Sequence, residues 1–173
     1  MTTAEYLLLD TEWANDAQRE LVSLALVNLE GTRRFYAERD PLPSNPSPFV
    51  ADVVYPMRER GDAAMLDAAF TRGLRCFLGE FDAPFALFDV VHDGALLTYA
   101  LGGFDTPGDY GPEPAIRTTW MLREGRFHQL LQDWFAQDPE REARRHHAGV
   151  DAEALRCAWM AVTGHDHPTG GNS

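Results

Sequence analysis

Asp10-Thr11-Glu12 sets two carboxylates two residues apart, and in extended chain that spacing puts both on one face. Carboxylates held side by side repel, so the pair is stable only with a cation between them or water around them. Asp93 stands where a strand-like run passes into a helical one, with Asp89 four residues earlier as a competing carboxylate. His146-His147-Ala148-Gly149-Val150-Asp151 opens the last helical run. Asp10, Glu12, Asp93 and Asp151 together offer oxygen ligands of the kind Mg²⁺ or Mn²⁺ takes. Two such ions about 3.5–4 Å apart form the clamp used for in-line attack on phosphodiesters, and a histidine with a near-neutral pKa can take the proton from the attacking water. Each motif also has a plainer meaning. Asp10 and Glu12 fit a solvated strand end before a turn at Asn15-Asp16, Asp93 fits a helix-start acid favoured by the macrodipole, and Asp151 fits an N-terminal acid beside a solvated histidine pair. No Cys/His cluster points to zinc, and no GxSxG or phosphate-binding glycine loop is present.

These residues need elements to carry them. EYLLL (5–9) reads as a buried central strand ending at Asp10; ELVSLALVNL (20–29) and TRRFYAER (32–39) follow as strands, joined by a turn at Glu30-Gly31. DPLPSNPSP (40–48) holds four prolines and reads as a surface loop. Met65, Leu66, Ala69, Phe70, Leu74, Phe77 and Leu78 recur at three-to-four spacing and predict an amphipathic helix over 62–81. PFALFDVV (84–91) predicts a strand, 92–101 a helix, 102–114 a loop and AIRTTWML (115–122) a strand. A helix over 125–136, a charged exposed stretch over 138–147, and a final helix over 151–162 closed by Gly164 complete the chain, with 165–173 as a tail. The order predicts an α/β fold: a mixed five-stranded sheet, antiparallel in its first three strands and then parallel, flanked by helices. Sites in such folds lie at the carboxyl ends of central strands. Residues 1–164 are expected to be a single domain.

The chain has 173 residues, 45% of them apolar, and a formal net charge of −12. The length suits one domain, and the acidity argues against nonspecific coating of nucleic acid or attraction to an anionic membrane. All 15 basic residues are Arg, so every fixed cation is a planar, bidentate donor suited to phosphate or carboxylate. Cys76 and Cys157 form no metal-spacing pattern and no disulfide framework, which predicts a reduced, intracellular protein. MTTAEYLLLDTEW lacks the basic start of a signal peptide, and no apolar run approaches the ~18 residues of a membrane span, so a cytoplasmic location is expected.

With the motifs in place, the chain resembles the DnaQ-like 3′–5′ exonucleases of the DEDDh type, which have a ribonuclease H-like fold. That family carries a DxE in the first strand, an Asp after the fourth, and an H-x-x-x-x-D at the last helix. Here DTE supplies Asp10 and Glu12, VHDGALL supplies Asp93, and HHAGVDA supplies His146 and Asp151, with Ala148 in the usual small-residue place. Through DTEWAN, RELVSLALVNLEG and FYAE the chain is similar to the small bacterial exoribonucleases exemplified by a mycobacterial enzyme preferring adenylate-rich RNA. One departure is Asp89, where many relatives place Asn.

The resemblance implies hydrolysis of the 3′-terminal phosphodiester of short or single-stranded RNA to nucleoside 5′-monophosphates. Asp10, Glu12, Asp93 and Asp151 would hold two Mg²⁺ or Mn²⁺, and His146 would act as general base. Thr11, Trp13 and Arg145 are the expected substrate-binding residues: Trp13 is placed to stack on the terminal base, and Arg145, with Arg141 and Arg144, to steer phosphates. Trp13 also fits a core position, and the arginines a solvated loop with Glu140 and Glu142. A DNA exonuclease sharing every metal ligand and a non-catalytic nucleic-acid-binding module on the same fold are the alternatives. Relatives are often homodimers in which a partner completes the groove. Two bound cations would offset four of the acids, and the charge that remains suits a short footprint at one 3′ end over salt-driven tracking.

Overall fold

The computed structural model describes residues 5–17, 20–121 and 125–164. The predicted opening strands form as β1 (Tyr6–Trp13), β2 (Leu21–Asn28) and β3 (Arg34–Arg39), an antiparallel meander. In β1, Leu7 and Leu9 enter one core while Leu8 enters the other. β2 is buried along its whole length by the same alternation, as expected of a strand covered on both faces.

After the proline-rich loop, a π-type turn (Val50–Val54) runs into α1 (Tyr55–Met57), and a 3₁₀ turn (Gly61–Ala63) leads to β4 (Ala64–Met65). β4 pairs parallel with the end of β3, so the sheet has six strands rather than the expected five, in the order β4-β3-β2-β1-β5-β6. The helix expected over 62–81 is therefore shorter: α2 spans Asp67–Leu78. Met65, part of the helical spacing, packs from β4, and Leu66 is exposed. A two-residue strand is specified by its backbone partners, which apolar spacing does not report.

β5 (Phe85–Phe88) lies parallel to β1, and β6 (Arg117–Trp120) parallel to β5 at the sheet edge. Between them runs α3 (Val91–Leu101). α4 (Gly125–Ala136), the short α5 (Pro139–Ala143) and α6 (Ala148–Thr163) close the described chain. α2 and α3 cover one face of the sheet with Phe70, Leu74, Leu97 and Ala100. α4 and α6 cover the other with Leu131, Phe135, Ala152 and Leu155. The small residues Ala148, Ala152 and Ala158 let α6 lie close to the sheet. No helix among the described residues is long and apolar enough to cross a membrane. The expected tail 165–173 and the last residue of the strand expected over 115–122 lie outside the described residues.

Candidate metal centre

Alternation along β1 decides where its acids point. Asp10 and Glu12 share the parity of Leu8 and face the α4/α6 side, while Thr11 shares that of Leu9 and faces α3. A register shift against β2 falls between Glu12 and Trp13, the kind of bulge that re-aims side chains beside a site. Asp93 lies in the first turn of α3, almost wholly buried, and its Oδ1 accepts a 2.6 Å hydrogen bond from Thr11 Oγ1. Gly94 makes that approach possible: a Cβ there would stand 2.6 Å from the Phe88 ring, so only glycine lets α3 start this close to β5.

Asp151 arrives from α6. That helix begins at Ala148, three residues before its expected start, and His147 is its cap, with Nδ1 accepting from Gly149 N–H at 3.2 Å. His146 precedes it in the left-handed region, φ 72°, a conformation L-residues adopt at a cost. The bend is held by the His146 backbone N–H, which donates to Asp151 Oδ2 at 3.1 Å. The side chains of Asp10, Thr11, Glu12, Trp13, Asp93, His146 and Asp151 thus line one cleft of about 220 Å³, with Leu131, Gln132 and Phe135 of α4 forming its wall.

Within this region the ligand atoms fall into two groups, each spanning no more than 4.8 Å: Glu12, His146 and Asp151 in one, Asp10, Asp89 and Asp93 in the other. The choice between Asp89 and Asp93 does not arise, because both carboxylates are buried beside Asp10. Burial and mutual repulsion raise the proton affinity of Asp10, Glu12 and Asp93. Asp10 is raised well above the usual carboxylate range by burial, then by Asp151, Asp93, Glu12 and Asp89. Glu12 is raised well above it by burial, then by Asp151 and Asp93. Asp93 is raised to about 7 by burial and by Asp89, against the opposing hydrogen bond from Thr11. Asp10 Oδ2 and Asp93 Oδ2 are buried without a hydrogen-bond partner. Acceptor oxygens crowded in this way fit divalent cations, which take carboxylate oxygens and cancel the repulsion.

His146 is pushed below the usual histidine range by burial and by Arg145, which keeps it neutral and able to accept a proton. The sequence offered His147 as part of a solvated pair in an exposed stretch, and there the structure differs. His147 is buried and stacked on Tyr36 at 4.6 Å, because capping α6 turns its ring into the protein. Trp13 lines the cleft, packs on the α2/α3 core and stands edge-on to His92 at 5.8 Å, so it serves packing and cleft together. Arg145 reaches the cleft wall, but its guanidinium is held by Glu142 at 2.8 Å and Gln132 at 2.9 Å, over the Phe135 ring. Arg141 and Arg144 turn to Asp138 and Glu59.

Phe49 went unnoticed in the sequence. Half-exposed, it sets its ring edge against His146 with centroids 4.9 Å apart. An aromatic residue just after a proline-rich loop was the available signal, and its partner lies 97 positions away. No protein-family model and no curated protein matches the chain.

Proposed function

We propose that the protein is a metal-dependent 3′–5′ exoribonuclease of the DEDDh type with a ribonuclease H-like fold. It would release nucleoside 5′-monophosphates from the 3′ end of short or single-stranded RNA. The observation that carries this reading is the convergence of Asp10, Glu12, Asp93, Asp151 and His146 in one cleft, from three separate parts of the chain.

Asp10, Glu12, Asp93 and Asp151 would hold two Mg²⁺ or Mn²⁺. Bound there, such ions supply Lewis-acid stabilisation of developing phosphoryl charge and acidify a nucleophilic water. The chain's own groups do the rest. His146, neutral at physiological pH, takes the proton from the water that attacks phosphorus; the 3′-oxygen of the penultimate nucleotide leaves. Thr11 holds Asp93 so that Oδ2 stays turned away from the hydrogen bond. Trp13 presents an indole at the cleft edge for the terminal base, since base–aromatic stacking is tolerant of sequence. Arg145 steers phosphate only by exchanging Glu142 for it.

The test is a Mn²⁺ and Mg²⁺ titration with 3′-labelled and 5′-labelled RNA oligonucleotides beside matched DNA. Metal-dependent release of 3′-terminal mononucleotides, abolished in Asp10→Ala and Asp151→Ala, is expected. Full activity of either variant refutes the two-metal assignment. Faster cleavage of the DNA substrate replaces RNA with DNA as the substrate class, and tight binding without cleavage makes the fold a binding module.

A further inference from the structure

The motif set supplies four carboxylates to the cleft, and a fifth is buried beside two of them. Asp89 sits at the end of β5, 7% exposed, with its ligand atom no more than 4.8 Å from those of Asp10 and Asp93. Its backbone is fixed: its carbonyl accepts from Trp120 Nε1 at 2.9 Å, and the preceding Phe88 carbonyl accepts from Met121 N–H at 2.6 Å. Gly94 then brings α3 against Phe88, which draws Asp93 to the same end of the strand. Two of the three residues also carry an unsatisfied oxygen: Asp10 Oδ2 and Asp93 Oδ2, in side chains 8% and 1% exposed, have no hydrogen-bond partner. Oxygens within 4.8 Å of one another can share one hard cation at bonds of ~2.4 Å, as Ca²⁺ takes, and need draw in only slightly for the ~2.1 Å of Mg²⁺.

The other group differs in kind. Glu12, His146 and Asp151 are all half-buried, and one of their ligand atoms is an imidazole nitrogen. An all-oxygen set suits hard cations such as Mg²⁺, Mn²⁺ or Ca²⁺, and with His146 reserved as the base the other group offers only two carboxylates. Asp10, Asp89 and Asp93 are each no more than 8% exposed, so a cation held there is largely shielded from solvent.

We propose that Asp89 joins Asp10 and Asp93 in a buried, all-oxygen site for one hard divalent cation, filled before any ion on the Glu12–Asp151 side of the cleft. This rests on the metal-dependent reading of the cleft, and the chemistry it adds is the order and ligand count of the two ions.

The test is Mn²⁺ titration of the full chain at about pH 8, since a cation must displace protons from its ligands, followed by loss of the free-ion electron paramagnetic signal. Wild type is compared with Asp89→Asn, Asp151→Asn and the exposed-site control Glu113→Gln. The tighter class should weaken about tenfold or more in Asp89→Asn, since ligand charge sets affinity, less in Asp151→Asn, which removes a charge near Asp10, and not in Glu113→Gln. An unchanged tight class in Asp89→Asn overturns the proposal, as does its loss in Asp151→Asn alone. Asp89→Asn removes a charge that repels Asp93, so it should fold and melt no lower than wild type in chelator. If it fails to fold, wild type decides: substoichiometric Mg²⁺ must shift the amide resonances of 89–94 before those of 147–151, and the reverse order overturns the proposal. Loss of the tight ion in Asp89→Asn, with no nucleotide released by wild type, would uphold the ligand and remove the exonuclease. Nuclease activity beside unchanged Mn²⁺ binding would do the opposite.

Discussion

Replacing Thr11 by Val tests the centre through one hydroxyl. The two side chains have nearly the same shape, and Thr11 is 3% exposed, so the substitution leaves packing intact and deletes only the 2.6 Å hydrogen bond to Asp93 Oδ1. A hydrogen bond to a charged group contributes roughly 1.5–3 kcal/mol, which at ~1.4 kcal/mol per decade is about 10- to 150-fold in an equilibrium constant. Two consequences run the same way. Asp93 loses the group that orients it, and it also loses the interaction that opposes its upward pKa shift, so protons compete better with cations. Thr11→Val should therefore bind Mn²⁺ about 10-fold or more weaker, with the pH midpoint of binding moved upward. Calorimetric titration across a pH series, with melting curves in chelator as the folding control, reads both. Affinity within about twofold of wild type and an unmoved midpoint, well short of what a hydrogen bond to a carboxylate contributes, would refute the role given to Thr11.

Without metal, stability should fall as pH rises through the range of Asp93. Its folded value is raised from 3.8 to about 7, so the stabilisation is complete below the unfolded value and is lost as pH climbs through the folded one. Melting temperature in chelator is expected to be higher at about pH 5 than at about pH 8, and added Mg²⁺ should restore it most at the higher pH; a flat profile contradicts the crowding of Asp10, Asp89 and Asp93. His146→Ala should cut RNA turnover by ~100-fold or more, the usual reach of a general base, with Mn²⁺ binding largely kept. His147→Ala should instead lose about 1 kcal/mol of stability with its cap, seen in urea unfolding; a larger turnover loss in His147→Ala would mean that the wrong histidine has been assigned. Gly94→Ala must push α3 off Phe88, and overpacking of this kind costs about 1–3 kcal/mol. Metal affinity should drop with it, and an unchanged melting curve would show that the 2.6 Å approach is easily relieved.

Much of the architecture was legible because local chemistry repeats. The β-branched and leucine content of 20–29, the Glu30-Gly31 turn before 32–39, the breaker-rich 40–48, and the helical spacing in 125–136 each mark one element by themselves. β4 was illegible because two residues, Ala64 and Met65, carry no period. The first turn of α6 was missed because Ala148 and Gly149 look like a linker until His147 caps them.

The sequence by itself determined which groups were available: a DxE on a strand end, acids at two helix starts, and a histidine five residues before the last of them. Periodicity and spacing reach only a few residues along the chain, so those facts are local. Tertiary structure alone decided that Asp89 and Asp93 both stand beside Asp10, that His146 faces the cleft while His147 turns away, and that Phe49 meets His146. Each is a contact between segments that only sheet pairing and helix packing bring together, and the raised proton affinity of Asp10 exists only once that burial has happened.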